Sequence, residues 1–187
     1  AKVLTFRDVS IEEIAHAELC LHLAEVYAGA PVTMPDVPFA MPHFGFDDER
    51  LEVALHVTGL CCVNETLATA YLERCLSLAR APVAVAANRM HLREEIDHAR
   101  LGWAHLSSRA VTPDLREQLS TCVPRLLAAN VPLWEREDAF LPSEGVPDHG
   151  LPSHEDACRT ARAATRDLVI PGFRHVGIEV RADAFAG

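Results

Sequence analysis

Glu12-Glu13-Ile14-Ala15-His16-Ala17-Glu18-Leu19 and Glu94-Glu95-Ile96-Asp97-His98-Ala99-Arg100-Leu101 are two copies of one eight-residue phrase, identical at six positions. Each copy contains Glu-x-x-His. On a helix turning about 100° per residue, that spacing sets a carboxylate and an imidazole on one face, a turn apart. Two such helices facing each other supply the oxygen and nitrogen donors that borderline divalent metals such as iron, manganese or zinc accept.

Around the first copy, Ser10 reads as an N-cap with Glu13 three residues later, a capping-box pattern, and the apolar run lasts to Tyr27 before Gly29 and Pro31. This predicts a helix over 10–28. Residues 30–46 carry Pro31, Pro35, Pro38 and Pro42 without helical periodicity, which predicts a stiff connection able to cross the length of a bundle. From Asp47-Asp48 no proline occurs until Pro82, so a long second helix is expected, interrupted at most by Gly59. Pro82 restarts a third helix that carries the second copy and runs to about Ser108.

Further on, Thr112-Pro113-Asp114 starts a segment to about Asn130. A stretch holding Pro142, Gly145, Pro147, Gly150 and Pro152 separates it from a last helix over about 154–170, which Pro171-Gly172 ends or kinks. No alternating strand pattern and no further repeat is present. The expected class is all-α, in a single domain over 1–187.

The chain has 187 residues and a formal net charge of -10 at pH 7. That balance offers no basic stripe for phosphates, which argues against nucleic acid and anionic membrane as partners. No uncharged apolar run reaches the roughly 18 to 20 residues of a membrane span, and a soluble, cytoplasmic protein is expected. Cys20, Cys61, Cys62, Cys75, Cys122 and Cys158 form no C-x-x-C pair and read mostly as reduced core thiols. Phosphate-loop, nucleophile-elbow and Ser/His/Asp patterns are missing, which argues against kinase, nucleotide-binding and α/β-hydrolase functions.

Bundles that hold two-metal carboxylate sites draw a Glu-x-x-His from each of two helices and one Glu from each of the other two. Glu65 lies thirty residues before Glu95, and an antiparallel hairpin of this length sets the two level. The matching partner of Glu13 would fall before residue 1. The chain is thus expected to carry three metal-bearing helices, with the fourth supplied by a preceding segment or another chain, or with the site lost in part and working without full two-metal chemistry.

The phrases Glu13-Ile14-Ala15-His16-Ala17-Glu18-Leu19-Cys20, Asn64-Glu65-Thr66-Leu67-Ala68 and Glu95-Ile96-Asp97-His98-Ala99-Arg100-Leu101-Gly102-Trp103 resemble the ferritin-like superfamily, in particular bacterial ferritin-like domain proteins. The prolines from 31 to 42 resemble that family's long crossover. The resemblance covers residues 10–108 as a ferritin-like core and leaves 109–187 as a helical extension that caps the bundle, covers an entrance or forms an oligomer contact. It implies a four-helix bundle with two metal ions, usually iron with manganese as the alternative, and oxygen-dependent oxidoreductase chemistry on a small molecule. Carried over by motif, Glu13 and His16 serve one ion, Glu95 and His98 the other, and Glu65 ligates or bridges.

Alternatives stay open. Glu12 and Glu94 adjoin the motif carboxylates, and Glu94 lies four residues from His98, also a facing spacing. His91, His98 and His105 recur every seven residues; His91 and His105 are read as polar core or rim residues that brace a ligating carboxylate. Cys20, Cys61 and Cys62 lie a turn from motif residues, where a thiol would favour copper or zinc. A metal-free bundle, with Arg93 and Arg100 as counter-charges, would instead serve as a scaffold whose apolar groove takes a partner helix, in an oligomer rather than a lone monomer.

Overall fold

The computed structural model describes residues 5–33, 41, 43–137 and 141–180. The chain divides into two compact units, residues 1–44 and 45–187. The first contains helix α1, Phe6–Ala28. It starts four residues before the expected Ser10. Thr5, extended at φ -123° and ψ 161°, caps it: the Thr5 hydroxyl accepts from the Asp8 amide at 3.3 Å, and the Asp8 carboxylate accepts from the Thr5 amide at 2.9 Å. Ser10 lies inside the helix, where its hydroxyl donates to the Phe6 carbonyl at 3.1 Å. The stop falls where Gly29 predicts it, at φ 65° with its amide on the Glu25 carbonyl.

The second unit is a helical bundle. Helix α2 (Glu49–Val57) passes through a π turn, Thr58–Asn64, into α3 (Glu65–Leu78). Helix α4 (Pro82–Ser107) opens on Pro82, and α5 (Pro113–Trp134) opens behind a Thr112 cap and contains Pro124 and Pro132. Helix α6 (His154–Ala164) passes through a second π turn, Thr165–Val169, into α7 (Ile170–His175). Among the described residues no strand occurs, only the isolated bridge between Val146 and Leu151. The all-α expectation holds. Of the crossover expected over 30–46, residues 34–40 and 42, with Pro35, Pro38 and Pro42, lie outside the described residues.

Two corrections concern the C-terminal part. Helix α5 runs to Trp134 rather than Asn130, and the last helix passes Pro171 and reaches His175. Proline normally clashes with the carbonyl four residues back, and the wider π turn at Thr165–Val169 relieves that clash. Helices α5 and α6 are walls of the bundle: α5 packs on α2 and the first π turn, and α6 packs on α3. Leu119, Val123 and Leu127, four residues apart on α5, are buried with Leu55, Val63, Leu67, Leu106 and Phe173. Arg74 of α3 pairs with Asp156 of α6, which also holds Arg159 at 2.6 Å.

The stretch Glu49–Leu78 is long and apolar enough to cross a membrane by length and composition, and more than half of its apolar window is buried as a core element. Its π turn has visible local causes. Thr58, buried, donates to the Ala54 carbonyl at 2.6 Å, offering that group an alternative to the ladder. At the other end the Asn64 amide donates to the Gly59 carbonyl at 3.0 Å and to Asn130 Oδ1 at 2.8 Å, while Trp134 Nε1 donates to Asn64 Oδ1 at 3.0 Å. Thr165 opens the second π turn in the same way, on the Ala161 carbonyl at 2.8 Å. Gly102 lets α4 lie against the first turn: a Cβ there would stand 2.5 Å from Cys61 Cβ and 2.9 Å from the Cys61 carbonyl carbon.

Candidate metal centre

Glu65 is the first α3 residue after the π turn, and the antiparallel α3–α4 hairpin brings it beside Glu95 and His98. One ligand atom from each of these three lies within 4.8 Å of the others. His98 Nδ1 stands 3.1 Å from Glu95 Oε2, and His91 Nε2 stands 2.9 Å from Glu95 Oε1. Each oxygen of one carboxylate therefore faces its own imidazole. The helix explains this, since residues four before and three after Glu95 share its face.

His98 is fully buried, and Glu95 is 4% exposed. Burial opposes ionisation of Glu95, but hydrogen bonds from His91, His98 and Glu65, together with the charge of His98, outweigh it and hold the carboxyl well below the ordinary carboxylate range. The arginines considered as counter-charges turn outward: Arg93 pairs with Glu94 at 3.0 Å and Arg100 with Asp97 at 3.1 Å. The adjacent glutamates on α4 differ in their surroundings. Glu95 faces the cluster, and Glu94 serves Arg93.

In α1, the other copy of the motif sets His16 Nδ1 3.5 Å from Glu13 Oε2. The pair thus has the intrahelical spacing its sequence predicts, in the unit that contains α1.

His91, read as bracing a motif carboxylate, does so: it lies four residues before Glu95 and meets its Oε1 at 2.9 Å. Asn64, Asn130 and Trp134, which fix the turn leading into Glu65, carried no comparable sequence signal. His105, another heptad on, is half-buried, and burial disfavours its protonated form. Cys61 and Cys62 pack against Gly102. Burial pushes the Cys62 thiol well up and the Cys75 thiol to about 11.

The second unit also holds a cleft of about 650 Å³, lined by Thr66, Ile96, Ala99, Trp103, Leu168 and Gly172 among others. Thr66 and Ile96 directly follow Glu65 and Glu95 in sequence. Trp103 forms a wall, its Nε1 donating to Thr66 Oγ1 at 3.1 Å and its ring meeting Phe173 edge-on at 5.1 Å. Gly172 makes room for that ring, since a Cβ would come within 2.7 Å of it. The volume suits a small molecule and the lining is mostly apolar.

Two carboxylates and one or two imidazoles, with Glu95 and His98 buried and Glu65 and His91 half-buried, form a donor set that fits iron, manganese or zinc. Comparison with protein-family models, curated proteins and solved structures finds no match to the chain.

Proposed function

We propose that this chain is a ferritin-like di-metal protein, with iron as the metal and manganese as the alternative, acting as an oxygen-dependent oxidoreductase on a small molecule. The observation that carries the reading is the convergence of Glu65, Glu95 and His98 within 4.8 Å in a buried hairpin whose neighbouring arginines pair elsewhere. In this proposal Glu65, Glu95 and His98 hold one ion, and Glu13 and His16 serve the other on the ground of their matching sequence. A bound metal of this kind supplies redox and Lewis-acid chemistry toward dioxygen. The chain's own residues hold the donors at fixed spacing, keep water from the buried side and, in the Trp103 cleft, offer apolar walls to a substrate.

Elemental analysis of protein from iron- and manganese-supplemented cells tests this reading. Near-stoichiometric metal that disappears in Glu95→Ala and His98→Ala is the expected result. A folded wild type without metal overturns it. A metal-free scaffold is the second reading, and the observation favouring it is that both oxygens of Glu95 already have imidazole partners.

A further inference from the structure

We infer that His91 is itself a metal ligand, so that α4 presents three donors, His91, Glu95 and His98, and the Glu95 carboxylate bridges two ion positions, one toward each imidazole. This rests on the metal reading above and extends it to a residue that the Glu-x-x-His motif does not contain.

The geometry carries the inference. Two donors at right angles on one ion, with bonds of about 2.1 Å, lie about 3.0 Å apart. The separations of 2.9 Å from His91 Nε2 to Glu95 Oε1 and 3.1 Å from His98 Nδ1 to Glu95 Oε2 both lie within about 0.1 Å of that edge. Because the two imidazoles take different oxygens, each oxygen of the carboxylate has one imidazole beside it, His98 through Nδ1 and His91 through Nε2. Glu65 joins the His98 side.

The two sides differ in access. The His98 side chain is wholly enclosed, whereas the His91 side chain keeps 23% of its surface. An ion on the His91 side therefore has room for water or an exchangeable ligand beside the protein donors, which is the feature that separates a reactive metal position from a closed structural one. Arg93 and Arg100, paired outward, do not compete for Glu95.

A bracing imidazole and a ligating one leave different traces. Loss of an outer-sphere partner lowers affinity about 10- to 100-fold and leaves the number of ions unchanged at saturation. Loss of a ligand removes an ion. The experiment is titration of the full chain with cobalt(II) to saturation, counting ions per chain by elemental analysis for wild type, His91→Gln and His98→Gln, with circular dichroism melts confirming that each variant folds. The expected result is that His91→Gln saturates with one ion fewer than wild type. Equal saturating counts with weaker binding in His91→Gln overturn the inference alone, as does a wild type that saturates at one ion. A folded wild type that takes up no cobalt overturns it together with the metal reading.

Discussion

The two Glu-x-x-His phrases are nearly the same in sequence, yet within their own units they do different things. In α4, Glu95 is buried, its two oxygens lie 2.9 and 3.1 Å from imidazoles, and Glu65 comes from the neighbouring helix. In α1, the Glu13 side chain is 45% exposed and its helical partner stands at 3.5 Å. The phrase dictates only that a carboxylate and an imidazole share a helix face. On α4 the second carboxylate comes from α3 across the hairpin, and the extra imidazole from α4 itself, four residues before Glu95.

Breaking the two copies separately is the sharpest use of that contrast. Glu95→Ala leaves His91 and His98 without their carboxylate in a buried site, and we expect a loss of about 3 kcal/mol in metal-free protein. Glu13→Ala, at a half-exposed position, is expected to cost no more than about 0.5 kcal/mol. Urea denaturation under chelation measures both, and equal losses would show that the two copies are equivalent after all.

The next largest effect concerns the approach of α4 to the turn before Glu65. Gly102→Ala would put a methyl 2.5 Å from Cys61 Cβ and 2.9 Å from its backbone carbon, so the helix must move. We expect a loss of about 2 kcal/mol, read as an earlier urea midpoint, together with weaker metal binding. Unchanged stability would mean that the close approach does not shape the site.

Asn64→Ala tests the turn itself. It removes the partner of Trp134 Nε1 and of the Gly59 carbonyl, for an expected cost of about 1 to 2 kcal/mol. A tryptophan fluorescence shift should accompany it. A variant as stable as wild type would show that the π turn persists without its side-chain bonds.

The smallest effect lies away from the cluster. Burial works against ionisation of Asp156, and hydrogen bonds from Arg159 and Arg74 outweigh it and hold the carboxyl below its ordinary value of 3.8. The pair's contribution is thus complete above pH 3.8 and is lost as pH falls through the lower value of the folded protein. Because both arginines are partly exposed, Asp156→Asn should cost less than about 1 kcal/mol at neutral pH. The gap from wild type should close in acid urea titrations, and a gap that widens there would contradict the assignment.

Much of this could be read from the residues, for reasons that are local. Gly29, Pro82 and Thr112-Pro113 mark helix ends by backbone geometry that acts within a turn, and each stands where it was expected. The start of α1 was misplaced because Thr5-x-x-Asp8 and Ser10-x-x-Glu13 are equivalent patterns, and only the folded chain shows which hydroxyl finds free amides. The convergence of Glu65 with Glu95 followed from hairpin arithmetic. The π turns did not, because one extra residue per turn leaves the apolar pattern almost unchanged, and their only written signs are Thr58 and Thr165 amid apolar neighbours. Pro171 misled for a related reason, since its tolerance depends on the π turn before it. The heptad spacing of His91 describes a face without naming the carboxylate on it, and the folded helix supplies that partner as Glu95.

The measurement that tests the central claim most directly is anomalous X-ray diffraction at the iron edge from crystals of iron-loaded protein. The account predicts a peak about 2.1 Å from donor atoms of Glu65, Glu95 and His98. A fully loaded crystal with no peak there, and with His91 and His98 still hydrogen-bonded to Glu95, would contradict it and leave an imidazole–carboxylate cluster that holds the bundle together without metal.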